Sequence, residues 1–357
     1  MSSLKIAHFL GSTYSDISTE VTNWQTLYTT WFNRLESYEM QNFYQLLPKV
    51  DAPHLYDNWQ TAINHGEERT LAECFEMFKA VHALTTCPAA IKIATADVIN
   101  EFETDGVIFL ELRSTPREVP GKMTKEEYVE AIIEGILSHK GKIIVKLLLS
   151  IDRRQGLAEA EHTLQIALDA RKRHPALIAG LDLSGDPTAG AVSQFLPTLQ
   201  AARDAGLGIV IHCGEVTNEE EVMVILKFGP DRLGHATCVH PSLGGSETQW
   251  NALLKSNIPL ELCLTSNIKC KTVPSYDMHH FKYLFEANYP IALCTDDKGV
   301  FCSDLSHEYN LAAKTFGLSQ EQLVALSEAA IDFSLTSELE KSTLHKIFQE
   351  RIKTKCS

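Results

Sequence analysis

The sequence predicts an α/β protein, a (β/α)8 barrel whose first strand unit is truncated, and three observations carry that expectation. From about residue 70, amphipathic helical stretches alternate with short β-rich apolar runs, the rhythm of a parallel sheet covered by helices. Seven such runs follow one another at barrel-like intervals. Each closes on a polar or ionisable residue, and in a barrel those strand ends converge on one face. A doubly wound open sheet is the rival architecture, but no G-x-G-x-x-G turn supports it.

In chain order, the strand candidates are Val107 to Leu112, Ile143 to Ile151, Ile178 to Leu183, Gly208 to Ile211, Arg232 to Gly234, Leu260 to Leu264 and Ile291 to Cys294. They end at Arg113, Asp152, Ser184, His212, His235, Thr265 and Thr295-Asp296. The eighth strand of a closed barrel should precede residue 70, where Leu47-Pro48-Lys49-Val50-Asp51 is the best candidate. Residues 1–39 are aromatic, Ser/Thr-rich and without a clear period, although Trp24 to Leu35 can form a helix. They are expected to be an extension outside the core. Met40 then heads a single barrel domain, 40–357, with no repeat or linker dividing it.

Composition narrows the function. The 357 residues are 44% hydrophobic and 22% charged, ordinary for a folded globular chain. A formal charge of -14 provides no diffuse positive field for a nucleic-acid polymer or an anionic membrane. A small anion is still accessible, because a few local basic groups and backbone amides can hold one phosphate. The nine cysteines are odd in number, scattered and never spaced C-x-x-C, which argues against a disulfide framework or a thiolate zinc site. The apolar stretch Ile6 to Leu10 is too short for a signal segment, and no run reaches membrane-spanning length. A cytoplasmic, reduced protein is expected, and a monomer.

The chemistry lies at the strand ends. His212-Cys213-Gly214-Glu215 puts an imidazole at the end of one strand and a carboxylate three residues on, at the start of a loop. The imidazole can bind a metal through one nitrogen, and the displaced glutamate can carry a proton beside it. Alone, H-x-x-E is a weak signal. It gains weight because the next strand ends at Leu233-Gly234-His235 and the last at Cys294-Thr295-Asp296-Asp297. Adjacent carboxylates at the end of an apolar strand repel and lose solvent, a cost that a bound zinc ion would relieve. One aspartate can ligate the metal while the next turns toward a substrate nitrogen. Leu112-Arg113-Ser114-Thr115-Pro116-Arg117 adds hydroxyls and guanidiniums of the kind that grip phosphate. In Leu181 to Pro187, Gly185 would let a ligand approach bare backbone.

The ordered set H-x-x-E, G-H and T-D-D, with Leu112 to Arg117, Leu181 to Pro187, Leu262-Cys263-Leu264-Thr265-Ser266-Asn267 and Cys294 to Phe301, resembles the adenosine deaminase family. The similarity runs from about residue 69 to the last helices, plus Leu47 to Val50. It implies a metal-dependent hydrolase barrel holding one Zn2+, with His212 and Asp296 as ligands. It also implies that Glu215 protonates the purine ring, that His235 steers the attacking water and that Asp297 holds the ring's other edge. By the same resemblance the Gly185 N–H meets the purine, and His82, Ser114, Thr115, Pro116, Arg117 and Asp152 line the nucleotide pocket. The implied reaction is hydrolytic deamination of an adenine nucleotide, N6-methyl-AMP giving IMP and methylamine, with adenosine as the alternative substrate.

The family pattern fails at the first strand. Members carry two zinc-binding histidines, spaced H-x-H, directly after the L-P-K-V-type strand, whereas here Val50 is followed by Asp51-Ala52-Pro53-His54-Leu55. Neither Asp51 nor His54 repeats the spacing, and Pro53 restricts the backbone between them. A catalytic zinc ordinarily takes three protein ligands and an open position, so losing two should weaken metal binding severely. A second expectation therefore stands beside the enzyme: a catalytically impaired chain that binds or senses a nucleotide. A barrel amidohydrolase acting on a non-purine amide is a third, disfavoured by the Ser114 to Arg117 loop and Gly185.

Overall fold

The computed structural model describes residues 4–9, 82 and 85–356. One sheet of eight strands, ordered β1 to β8, organises them. The strands are β1 Leu4–Phe9, β2 Phe109–Ser114, β3 Ile144–Asp152, β4 Ile178–Ser184, β5 Gly208–Cys213, β6 Arg232–His235, β7 Leu260–Leu262 and β8 Ile291–Leu293. From β2 to β8 every neighbouring pair is parallel. Most of the connections carry helices, including α1 Pro88–Thr104, α2 Lys125–Ser138, α3 Leu157–Arg173, α4 Leu196–Asp204, α5 Glu219–Phe228 and α6 Glu247–Ser256. The expected α/β barrel architecture is thus observed as seven curled parallel strands covered by helices.

Local sequence explains the main boundaries. Pro88 opens α1, where its missing N–H costs nothing. Thr124 with Glu127 and Ser246 with Gln249 form capping boxes at α2 and α6, each satisfying two backbone donors that the first turn leaves open. The middle of β5 is apolar on both faces, as a parallel strand under helices can be: Ile209, Val210 and Ile211 are all fully buried. Leu264, expected to close β7, instead opens a short helix, α7 Leu264–Lys269. Thr265 therefore sits at the start of a helix, with its N–H on the buried Glu308.

The edge beside β2 departs from the expectation. Leu4–Phe9, assigned from sequence to an extension outside the core, forms β1 and pairs antiparallel with β2, Leu4 opposite Ser114 and Phe9 opposite Phe109. The open edge of β2 needs hydrogen-bond partners, and an antiparallel strand satisfies them as a parallel one would. No ladder joins β8 to β1 among the described residues. Leu47 to Asp51, the expected first strand, and His54 lie outside the described residues.

Beneath the strand ends runs a buried charged network. Arg113 of β2 contacts Asp182 of β4 at 3.1 Å and Glu261 of β7 at 2.6 Å. Arg232 of β6 donates to Glu261 at 2.6 Å, to Glu111 at 2.5 Å and to the Phe333 carbonyl at 2.9 Å. Burial works to raise the Glu261 pKa, but the two guanidiniums outweigh it and hold the carboxyl below its ordinary value. The network ties four strands together through partners far apart in the chain.

Candidate active site

Four strand ends supply the candidate groups. Asp182 lies near the end of β4, fully buried, with its Oδ2 accepting from Ser150 Oγ at 2.9 Å. Its Oδ1 stands 2.9 Å from His212 Nδ1 on β5. A carboxylate only accepts, so the shared proton sits on Nδ1 and the neutral ring of His212 keeps its lone pair on Nε2. A histidine that binds a metal is ordinarily oriented in just this way by a carboxylate behind it.

His235 ends β6, and its ring centroid lies 5.2 Å from that of His212. His235 Nε2 stands 3.7 Å from Glu215 Oε1 and 3.8 Å from Asp296 Oδ2. Both separations exceed a direct hydrogen bond and suit groups that share one oxygen between them. Asp296, past the end of β8, accepts from Ser266 Oγ at 2.8 Å. Asp297 beside it is buried and opens the short helix Lys298–Phe301.

The backbone here is unusual. His235, Ala236 and Asp296 all have positive φ, 61°, 50° and 54°. Non-glycine residues reach this region only at a cost of about 1–3 kcal/mol each, and such strain gathers where a side chain must be aimed. Two of the three are residues singled out from sequence.

The residues expected to meet a nucleotide are more heterogeneous. Ser114, Thr115 and Pro116 are buried at the end of β2, with Ser114 Oγ 2.7 Å from Tyr128 Oη. Arg117 Nη2 donates to the carbonyl and hydroxyl oxygens of Thr85, the latter at 2.9 Å, and its guanidinium lies 5.9 Å from the centre of the Tyr128 ring. Asp152 ends β3 in an ion pair with Arg154. Gly185 has φ 101°, and a Cβ there would come within 2.4 Å of Asp152 Oδ1, so both conformation and space demand glycine. His82 is half-buried in helical backbone.

As a metal site, the described residues supply a lone-pair nitrogen on His212 and a carboxylate on Asp296, donors that suit a divalent cation such as zinc. His235, Cys263 and Asp296 also bring one potential ligand atom each within 4.8 Å of one another. Cys263, however, is buried, and a hydrogen bond with Cys294 followed by that burial pushes its thiol well above the ordinary range. It is thus a poor thiolate donor.

The model of the adenosine deaminase family matches residues 39–351. The zebrafish (Danio rerio) protein named N6-Methyl-AMP deaminase is 43% identical, over 87% of this chain and 97% of its own. The human protein of that name is 46% identical, over 80% of this chain and 82% of its own. This chain belongs to the adenosine deaminase family. The crystal structure of an Arabidopsis N6-mAMP deaminase superposes with a TM-score of 0.77 at 40% identity, covering 83% of this chain and 88% of that one. An ADAL–IMP complex gives the same TM-score, identity and share of this chain, and 87% of the other. A zinc-bound amidohydrolase from Burkhoderia, 18% identical with a TM-score of 0.66 over 78% of each chain, shares the fold.

In this member of the family, the structure brings together His212, Glu215, His235 and Asp296, with Asp297 adjoining. Ser114 to Arg117 lie along the end of β2. Sequence reading missed Asp182 as the partner of His212, although it fell inside the Leu181 to Pro187 motif. It also missed Asn267, His279 and His280. The sequence carries a signal for the last two, a His-His pair set just before an aromatic helix.

Proposed function

We propose that this chain hydrolyses a purine nucleotide at C6, taking N6-methyl-AMP to IMP and methylamine, with the site at the C-terminal ends of β4, β5, β6 and β8. The observation that carries the reading is the convergence of two acids on one imidazole: Glu215 Oε1 at 3.7 Å and Asp296 Oδ2 at 3.8 Å from His235 Nε2. The relatives named for this activity support the choice of substrate, and the IMP-bound neighbour supports a monophosphate.

Each side chain then has a distinct task. Glu215, at the mouth of the loop after β5, donates a proton to the ring nitrogen as negative charge develops there. His235 orients the attacking water, and Asp297 holds the far edge of the purine. Gly185 offers backbone N–H where no side chain can intervene. Ser114, Thr115 and Arg117 meet the phosphate, with His82 and Asp152 completing the pocket wall. His212 and Asp296 would hold zinc, which when bound supplies the Lewis acidity that lowers the pKa of a water toward ~7.

A second reading rests on the missing H-x-H after Val50. With only His212 and Asp296 among the expected ligands, the chain would bind nucleotide and turn it over weakly or not at all. Incubation of the purified chain with N6-methyl-AMP and zinc, following purine absorbance, separates the two. The deaminase reading expects turnover at least about 100-fold above a Glu215→Ala variant. Turnover no greater than that variant's rejects it in favour of the binding reading.

A further inference from the structure

A chain of hydrogen bonds behind His235 can be read for proton positions without ambiguity. The backbone N–H of Phe281 donates to His279 Nδ1 at 3.0 Å. That nitrogen is therefore a bare acceptor, and the ring's hydrogen must sit on Nε2. His279 Nε2 lies 3.0 Å from Asn267 Oδ1, so it donates to the amide oxygen. The amide nitrogen of Asn267 then faces His235 Nδ1 at 3.3 Å and donates to it. A flipped Asn267 amide would set N–H against N–H at His279, so the network admits one orientation.

The consequence falls on the reacting side of His235. With Nδ1 accepting, the neutral ring carries its hydrogen on Nε2, the nitrogen turned toward Glu215 and Asp296. We infer that Asn267 and His279 are positioning residues that fix His235 as the Nε2–H tautomer, making it a donor to an oxygen in the site rather than a base or a metal ligand. His212, with its proton held on Nδ1 by Asp182, is the opposite tautomer. Two imidazoles 5.2 Å apart are thereby divided into a lone-pair donor and a hydrogen donor.

Four further observations support the relay as a built device. Asn267, His279 and His280 are all buried, so solvent does not compete for their bonds. Burial, with the His280 and His235 rings nearby, holds His279 well below the usual imidazole range and keeps it neutral. His280 Nε2 donates to the backbone carbonyl of His235 at 2.7 Å, gripping the residue at its positive-φ turn. His279 and His280 stack with centroids 4.4 Å apart, so each ring packs against the other.

The inference deepens the deaminase reading, but its primary test is independent of turnover. In the zinc-supplemented chain with 15N-labelled histidine, assigned by comparison with His235→Gln, NMR should show His235 Nδ1 as pyridine-like and Nε2 as pyrrole-like. Asn267→Asp puts an acceptor-only carboxylate against Nδ1 and should exchange the two signatures while keeping the bond from His279. Should that variant not fold, His279→Ala should give a mixed tautomer at His235, and His279→Gln, which keeps a donor at the Nε2 position, should restore the wild-type pattern. If the wild type turns over N6-methyl-AMP, Asn267→Asp should lower kcat about 100-fold with KM nearly unchanged. A wild-type His235 protonated on Nδ1, or an Asn267→Asp spectrum unchanged from wild type, overturns the relay. Absent turnover with the expected NMR pattern would reject the deaminase reading alone.

Discussion

Asp182 Oδ1 sits 2.9 Å from His212 Nδ1, and the same carboxylate oxygen lies 3.1 Å from Arg113 Nη1. The candidate metal ligand is thus anchored to the buried ion network that ties β2, β4, β6 and β7 together. Asp182→Asn should release the His212 ring, weakening zinc affinity about 10–100-fold in a chelator competition. An unchanged affinity would mean that His212 is oriented by something else.

The network itself is a set of buried charges that only mutual pairing makes tolerable. Arg232→Met should leave Glu111 and Glu261 short of their guanidinium and destabilise the fold by about 3–5 kcal/mol in denaturant titration. A loss under about 1 kcal/mol would mean that the acids find other partners at little cost.

Acid should lower the stability of the protein over two successive pH ranges. His279 is held well below, and His280 pushed down to about 4 from, the ordinary imidazole value of 6.5, chiefly by burial. Between the unfolded and folded values the unfolded chain binds more protons, so stability falls as pH drops from about 6.5 toward 4, by up to ~1.4 kcal/mol per pH unit for each ring. Glu261, depressed in the fold, contributes fully above its ordinary 4.5 and loses that contribution as pH falls through its lower folded value. Denaturant midpoints across this range check the order, and stability flat between pH 7 and 5 would contradict it.

Gly185→Ala tests a turn beside Asp152 whose φ favours glycine. The variant should lose at least about 1 kcal/mol of stability, because strain at φ 101° adds to the clash with Asp152. Unaltered stability would show that the turn relaxes freely.

Arg117 is the residue proposed to meet the phosphate. Arg117→Ala should raise the KM for a purine monophosphate more than for the nucleoside, and equal effects would argue that its bonds to Thr85 are structural.

Much of the site was legible because barrel strands end in the residues that do chemistry, and apolar runs locate those ends. His212, His235 and Asp296 each followed such a run, and the seven parallel strands were found within a few residues. The errors have local causes. Leu264 reads as strand by its apolar neighbours but opens α7 once Glu308 accepts the N–H of Thr265. Leu4–Phe9 is too short and isolated to announce a sheet partner whose position depends on β2. The Asp182–His212 pair and the Asn267–His279 relay depend on packing between separate elements, 30 and 12 residues apart, which periodicity does not encode.

The proposed site holds a divalent cation between His212 and Asp296 although no H-x-H follows Val50. Zinc content of the purified chain after dialysis tests this. Close to one zinc per wild-type chain is expected, lost in both His212→Ala and Asp296→Ala. A wild-type chain without zinc, or single variants that keep it, would show that this pair does not hold the ion.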